Sequence, residues 1–217
     1  MTTMPAKHSK LVWFAAGLLA AIGMAAATIR IVLLARGSRG GAVAAVDDTF
    51  ATHAGLTLIH IVPGLLFLVV APLQFVPTIR GQRPNLHRWI GYSVFVLAAI
   101  IGISGFAMTA QMAIGGLNER AAILTFDSLF LLFGCKGYLA ARKREFRAHR
   151  EWMIGMFGVG LGIATTRPIV GAFFATSRWT HLTPHEFFGI AFWLGFSWTL
   201  FAAEGWLIYT KERAIAQ

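Results

Sequence analysis

The sequence predicts an all-α, polytopic membrane protein that forms a single bundle of six transmembrane helices. Hydrophobic residues make up 57% of its 217 residues and charged residues only 13%, where soluble proteins average about 25% charged residues. The mean hydropathy is +0.66. Several apolar runs reach the roughly 20 residues that a helix needs to cross a bilayer. We therefore expect one membrane domain over residues 1–217 and no separate soluble domain.

Apolar runs place the six predicted spans at about residues 11–35, 54–76, 86–112, 121–141, 149–175 and 184–209. The first span follows Lys7 and Lys10 and is rich in alanine, as a signal peptide can be. Its apolar run of roughly 24 residues is nevertheless long enough to span, so we predict an uncleaved helix. Residues 36–53 are predicted to be a loop. The single cysteine, Cys135, lies within an apolar run, which excludes a disulfide framework.

The ends and interruptions of the spans have local signals. Pro63 and Pro72 interrupt the second span, which is tolerated where neighbouring helices satisfy the freed backbone groups. Asn85 is predicted to cap the third span. Thr183 and Glu186 form a capping box with Pro184 at the first helical position, which predicts the start of the sixth span.

Glycines within two spans predict close helix packing, because small residues let helix backbones approach one another. Two of them, Gly102 and Gly105, lie in the third span. The fifth span carries Gly155, Gly158, Gly160 and Gly162.

The basic residues predict the orientation in the membrane. Twelve Lys and Arg lie near the N-terminus, the 2–3 and 4–5 connections and the C-terminus, whereas the opposite connections carry only Arg36, Arg39, Arg120 and Arg178. This bias predicts that both termini lie in the cytoplasm. The net charge of +10 is then a topology signal and a contact with anionic lipid rather than a nucleic-acid site.

Three of the seven histidines have a glycine four residues later, on the same helix face. They are His60 with Gly64, His87 with Gly91, and His185 with Gly189. A glycine one turn from a histidine leaves a flat slot beside the imidazole. The slot would suit a porphyrin plate, or simply a neighbouring helix.

The histidines fall at two depths. At 1.5 Å per residue, His60 lies about 9 Å into its span, on the side where His185 begins the sixth span. His87 and His149 begin spans on the other side. Bis-histidine haem b needs two facing imidazoles from different helices, so the pattern predicts an outer pair, His60 with His185, and an inner pair, His87 with His149.

Charged residues within the spans fall at the same two depths. Arg30, Asp127 and Arg167 map to the outer half, and Lys136 and Glu204 map to the inner half. Ionisable residues inside a span are costly and functional by default. The outer cluster would clamp a haem propionate or a carboxylate substrate; the alternative is an internal ion pair that fixes helix register. Lys136 and Glu204 have the alternative of snorkelling to the head groups.

His181 and His185 are four residues apart, which raises the possibility of a zinc or copper site. The predicted capping box places His181 outside the helix, so the two side chains need not share a face. The spacing therefore does not favour a metal site here.

An ordered set of motifs resembles a bacterial membrane family called domain of unknown function 2306. The set comprises His60, Pro63, Gly64, Pro72, Gln74, Phe75, Arg80, Arg83, Pro84, His87, Arg88, Trp89, Gly91, Phe146, His149, Arg150, Trp152, Met153 and Ile154. The resemblance implies a multi-helix, histidine-bearing protein of the bacterial inner (cytoplasmic) membrane. At the level of fold it is similar to the two-haem cytochrome b561 class. Unlike that class, this chain has no histidine in its fourth span.

The leading functional hypothesis is a b-type haem protein that moves electrons across or within the membrane, to or from a quinone or a redox partner protein. It would then be a component of a membrane oxidoreductase. The four paired histidines would bind the iron of one haem or two, and Arg167 and Arg30 would neutralise propionates. The alternatives are a carrier for a small anionic solute held by Asp127, Arg167 and Arg30, and a structural or assembly subunit of a membrane complex.

Overall fold

The computed structural model describes residues 6–37 and 43–215, and within these ranges the chain is helical, without strands. The helices are α1 (Ala6–Arg36), α2 (Ala44–Thr52), α3 (Ala54–Val70), α4 (Pro77–Gln82), α5 (Pro84–Met112), α6 (Gly116–Arg142), α7 (Phe146–Thr180) and α8 (Pro184–Ile215). A 3₁₀ turn over Ala71–Phe75 continues α3. Six of the described helices are long and apolar enough to cross a membrane, which confirms the predicted fold class.

Helix α7 is the centre of the bundle. It packs against α8, α6 and α1, while α3 packs against α5 and α1. In the most apolar 18-residue window of each helix, the buried share is 56% for α7 but only 11% for α1. The glycine-rich helix is therefore surrounded by the others, and α1 lies at the periphery.

Two aromatic clusters hold the helices together. In the middle of the bundle, Phe67 of α3 contacts Phe130 of α6 edge-on and Phe157 of α7, with ring centroids 5.5 and 6.5 Å apart. Nearer one end, Phe173 of α7 stacks on Phe187 of α8 at 5.1 Å. The second cluster also includes Val46, so it attaches α2 to the ends of α7 and α8.

Contacts between helix ends define two ends of the bundle. Trp13 of α1 lies 5.7 Å from Phe75, and Lys211 of α8 lies 3.1 Å from Glu151 of α7. We call this end, with α4 and the starts of α5 and α7, the basic end. Helix α2 and the α5–α6 and α7–α8 turns lie at the other end, which we call the α2 end.

Three local expectations need correction. The predicted loop 36–53 contains α2, which forms because its buried face, Val46 and Asp47, packs on the bundle. Asn85 is not an N-cap, since α5 begins at Pro84, whose missing N–H and fixed φ suit the first helical position. Helix α7 is longer than 149–175 at both ends.

The predicted start of the last helix is confirmed. The backbone N–H of Thr183 donates to a carboxylate oxygen of Glu186 at 2.8 Å, and α8 begins at Pro184. His181 ends α7 in the left-handed conformation, outside both helices as the capping box implied.

The glycines within the spans permit close contacts, as predicted. A Cβ at Gly102 would lie 2.7 Å from Leu131, one at Gly155 would lie 3.0 Å from Phe133, and one at Gly160 would lie 2.8 Å from Phe67. Each contact joins two different helices, so the small residues set the interhelical spacing.

Replacing Gly158 with alanine is expected to destabilise the bundle. The new Cβ would lie 2.7 Å from Ala203 Cβ and 3.2 Å from the Thr199 carbonyl oxygen, which forces α7 and α8 apart. Overpacking of this kind costs about 1–3 kcal/mol, measurable as a lower free energy of unfolding in detergent. Gly171→Ala is the control on the same helix, because its Cβ meets nothing within 4 Å. Equal stability of the two variants would contradict the packing described for α7 and α8.

Candidate functional site

A cavity of about 560 Å³ opens into the bundle from its surface near the α2 end. Residues of α1, α3, α5, α6, α7 and α8 form its walls, and Val43, Val46 and Phe50 bring α2 against it. Its volume falls within the roughly 300–1,000 Å³ that small-molecule and cofactor sites occupy.

The walls are mostly apolar, with a few charged or titratable groups. Phenylalanine supplies seven of the described lining residues. The titratable side chains among the described lining residues are Arg30, His60, Glu119, Asp127 and Arg167. An apolar pocket with a few converging polar groups is the usual form of a ligand site.

Four of the residues selected from the sequence meet in this cavity although they come from four different helices. Arg30 is on α1, His60 on α3, Asp127 on α6 and Arg167 on α7. Glu119 was missed because it lies at the start of α6, within a stretch predicted to be a polar connection. The structure thus brings the outer charges together.

The predicted outer histidine pair is not brought together. His185 is exposed and is not among the lining residues of the cavity. Its Nε2 lies 2.7 Å from where a Cβ of Gly116 would be, at the α5–α6 turn. His60 therefore lines the cavity, and His185 does not.

The ring of His60 is held in one orientation and one tautomer. Its Nδ1 lies 3.1 Å from the carbonyl oxygen of Ile101 and 3.0 Å from Ser104 Oγ. A carbonyl oxygen only accepts, so Nδ1–H donates and Nε2 keeps its lone pair. Histidines that bind a metal are oriented in this way, with the other ring N–H donated to a carbonyl or carboxylate.

Of the three His–Gly slots, the one beside His60 is open. Gly64 lines the cavity, and a Cβ there would meet nothing within 4 Å. In contrast, a Cβ at Gly91 would lie 3.5 Å from Gln74, and one at Gly189 would lie 2.6 Å from Asn118. Those two glycines serve contacts within the protein, so only the first slot offers space for a ligand.

The guanidinium of Arg30 pairs with a carboxylate of α2 rather than with Asp127, as the sequence had suggested. Its guanidinium lies 2.7 Å from Asp47 Oδ1, and the side chains are 13% and 2% exposed. The same guanidinium lies 4.1 Å from the centre of the Phe50 ring. The expected Arg–Asp–Arg cluster is therefore corrected: the carboxylate that pairs with Arg30 comes from the region predicted to be a loop.

Arg167 is the cation that the cavity leaves without a direct partner. No hydrogen bond or salt bridge joins it to any residue that the structure describes. Glu119 is near enough to attract it, but the carboxylate of Glu119 already accepts the backbone N–H of Gly115. A guanidinium in the wall of a cavity can receive an anionic group from a ligand.

Asp127 is half-buried, and its buried Oδ2 lacks a partner. Its Oδ2 has no hydrogen bond within the described part of the chain, and it contacts Gly105, where a Cβ would collide with it. Buried polar atoms are nearly always paired, and the exceptions mark functional groups or unseen partners. The missing side chain at Gly105 thus leaves room for a carboxyl group whose Oδ2 forms no hydrogen bond within the described part of the chain.

The predicted inner histidines lie at the basic end. His149 Nδ1–H donates to the Gly137 carbonyl oxygen at 2.8 Å, while His87 Nδ1 is buried without a partner in the described structure. His149 is close enough to act electrostatically on His87. Neither residue lines the cavity.

The family model "Predicted membrane protein (DUF2306)" matches residues 57–207. The chain belongs to this family. The match confirms the family resemblance seen in the sequence. No curated protein and no solved structure matches the chain.

The residues that form the cavity fall into two groups, those within the DUF2306 match and those that precede it. His60, Gly64, Asp127 and Arg167 lie within the matched residues, whereas Arg30, Asp47 and α2 precede them. The DUF2306 region therefore supplies the histidine and the unpaired charges, and the preceding segment covers them.

The other residues selected from the sequence lie away from the DUF2306 cavity. Lys136 and Glu204 are exposed on the surface of the bundle, where they can snorkel, and Cys135 is also exposed. Within residues 6–37 and 43–215, no group of three or more His, Cys, Asp or Glu could hold a metal ion. Among these residues, His181 and His185 therefore do not belong to a larger group of potential metal ligands.

Proposed function

We propose that this DUF2306 protein binds one b-type haem in the cavity and moves electrons within the membrane. The observation that carries the proposal is His60, which keeps a free Nε2 lone pair in a cavity wall with an open slot at Gly64. Bound haem supplies reversible one-electron chemistry at its iron. Within this proposal, His60 would bind the haem iron.

The charges of the cavity fit the periphery of a haem. Arg167 has no direct partner among the described residues, so it can pair with one propionate. Arg30 is near enough to interact electrostatically with Arg167, and it would pair with a second propionate in addition to its contact with Asp47. Two neighbouring cations suit a ligand that carries two carboxylates.

The aromatic side chains of the cavity wall suit the flat porphyrin ring of the proposed haem. Phe67 and Phe130 belong both to the cavity lining and to the central aromatic cluster. Flat aromatic side chains pack favourably against a ring system and keep water from it. The apolar wall raises the cost of a charge at the iron, which is one way in which a protein sets a haem potential.

The geometry supports one haem rather than two. His87 and His149 do not line the cavity, and Gln74 occupies the space beside Gly91. Electron exchange would then take place between the haem and a quinone or a redox partner protein at the α2 end. We place the basic end in the cytoplasm on its excess of Lys and Arg, with the haem in the outer leaflet.

Filling the slot beside His60 is expected to prevent haem binding without removing the ligand. Gly64→Leu places a side chain in open space that lines the cavity, and Gly205→Leu is the control, since its Cβ also meets nothing within 4 Å. After expression with added haem precursor, the wild type and Gly205→Leu should show a b-type α-band in a reduced-minus-oxidised spectrum. Gly64→Leu should lose at least about 90% of it, which for a nearly saturated wild type means binding weaker by roughly a hundredfold. Equal bands in both variants would refute the proposed position.

The second candidate function is binding or carriage of a small anionic solute. It is favoured by the unpaired Arg167 and by the lack of a second histidine in the described lining. If the spectrum is flat, thermal stabilisation by decanoate that disappears in Arg167→Gln would support this candidate. If the carboxylate also fails to stabilise the wild type, the remaining possibility is a structural or assembly subunit.

A further inference from the structure

Helix α2 forms part of the cavity wall on the side where the cavity opens. Val46 and Phe50 of α2 line the cavity, together with Val43 just before the helix. On the opposite face of α2, Asp48 and Ala51 are exposed. A single helix thus separates this part of the cavity from the surroundings of the bundle.

The contacts that hold α2 against its neighbours centre on one guanidinium group. Arg30 of α1 donates a hydrogen bond of 2.7 Å to Asp47 Oδ1, and the centre of the Phe50 ring lies 4.1 Å from the same guanidinium. The hydroxyl of Thr57 on α3 donates to the Phe50 carbonyl oxygen at 3.1 Å. Charge-assisted hydrogen bonds are roughly twice as strong as neutral ones, so the bond between Arg30 and Asp47 is the strongest of these contacts.

Helix α2 is short and joins α3 through a single residue. It has nine residues, and isolated helices shorter than about 12 residues are marginal in water, so its position depends on its contacts with the bundle. Only His53 lies between α2 and α3, and its φ of −112° and ψ of 40° are not those of a helix. A change in the backbone angles of one such residue is sufficient to rotate a short element about a hinge.

The guanidinium that holds α2 also belongs to the cavity. Arg30 is one of the lining residues, whereas the carboxylate of Asp47 is almost completely buried. A guanidinium has five N–H donors, so Arg30 can keep its bond to Asp47 and still receive an anionic group from a ligand inside the cavity. Binding of a ligand is therefore compatible with α2 in the position that the structure shows.

We propose that α2 is a lid that controls entry to the cavity, and that the ion pair of Arg30 and Asp47 holds the lid closed. The pair breaks when α2 rotates about His53, a ligand enters from the α2 end, and the pair forms again over the bound ligand. The proposal rests on the cavity being a ligand site, as in the proposed function, but not on the identity of the ligand. Its test therefore uses no haem.

The test measures how fast a cysteine inside the cavity reacts with a small, water-soluble thiol reagent. Cys135→Ser removes the exposed native cysteine, and Gly64→Cys then places a thiol in the open slot of the cavity wall. Mass spectrometry follows the reaction of the full-length protein in detergent, with α2 unchanged, with Asp47→Asn and with Asp48→Asn. Asp47→Asn removes the charge of the pair with little change in shape, and Asp48→Asn makes the same change on the exposed face of α2.

The cavity thiol should react at least roughly tenfold faster in Asp47→Asn, because loss of a hydrogen bond between charged groups shifts a local opening equilibrium by that order. Its rate in Asp48→Asn should stay within about twofold of the rate with α2 unchanged, since surface substitutions usually have small effects. Equal rates in all three proteins would overturn the lid. Equal acceleration by both substitutions would overturn the role of the ion pair.

A second reporter distinguishes opening of α2 from loosening of the whole bundle. Ala140→Cys, also combined with Cys135→Ser, places a thiol on α6 at a position that is only 5% exposed. Asp47→Asn should leave the rate at this thiol within about twofold if only α2 moves, and equal acceleration at both thiols would overturn the lid. Haemin uptake is recorded separately, so a protein that binds no haemin would contradict the proposed function without altering the result for α2.

Discussion

Replacing His60 with alanine is expected to abolish the b-type spectrum of the protein and to lower haem affinity more than tenfold. The substitution removes the imidazole that Ile101 holds at Nδ1 in the wall of the cavity, and haem held by a histidine depends on its bond to the iron. The measurement is the reduced-minus-oxidised spectrum after purification, together with a haemin titration of the haem-free protein.

His185→Ala is the matched control for this prediction. His185 was expected from its depth to share the haem with His60, but it is exposed and lies outside the described cavity lining. The variant should therefore retain the wild-type spectrum. If His185→Ala loses the band as completely as His60→Ala, the bis-histidine pairing predicted from the sequence holds and the single-ligand account is wrong.

Replacing Asp47 with alanine is expected to have the largest effect on stability. Asp47 is buried and lies 2.7 Å from the guanidinium of Arg30, itself only 13% exposed. Removing one partner of a buried ion pair leaves an uncompensated charge, which typically costs about 3–5 kcal/mol. The free energy of unfolding should fall by that order, and proteolysis should occur first in α2, because this pair holds α2 against the bundle.

Asp48→Ala supplies the comparison, since it removes the same charge from the next position of the same helix. Asp48 is exposed and forms no salt bridge with a described residue. Its removal should change the free energy of unfolding by less than about 0.5 kcal/mol, as surface substitutions usually do. Similar losses in both variants would show that α2 is sensitive to charge in general, not to its contact with Arg30.

Composition and run length were sufficient to predict the membrane class and the six spans, because the bilayer requires about 20 consecutive apolar residues. The close-packing glycines were also predictable, since small residues allow helices to approach. Helix α2 was not, because it is only nine residues long and its two adjacent aspartates look like part of a loop. Its helical structure depends on Asp47 and Val46 being buried against other helices, which local sequence does not reveal.

The depth of each site residue in the membrane was predictable from the sequence, but the direction in which its side chain faces was not. Counting residues along the spans placed Arg30, His60, Asp127 and Arg167 at one level, and the structure brings them to one cavity. The same counting gave His60 a partner in His185, which instead points elsewhere. Depth follows from the helical rise, whereas the face that a residue presents depends on how each helix is rotated by its packing. The sequence alone does not specify that rotation.

The molar ratio of haem to protein, measured on wild type purified after expression with ample haem precursor, tests the central claim most directly. Our account predicts one b-type haem per chain, held at His60. A ratio of two would contradict the single site and restore the inner pair of His87 and His149. A colourless protein that also fails to take up haemin would contradict haem binding altogether.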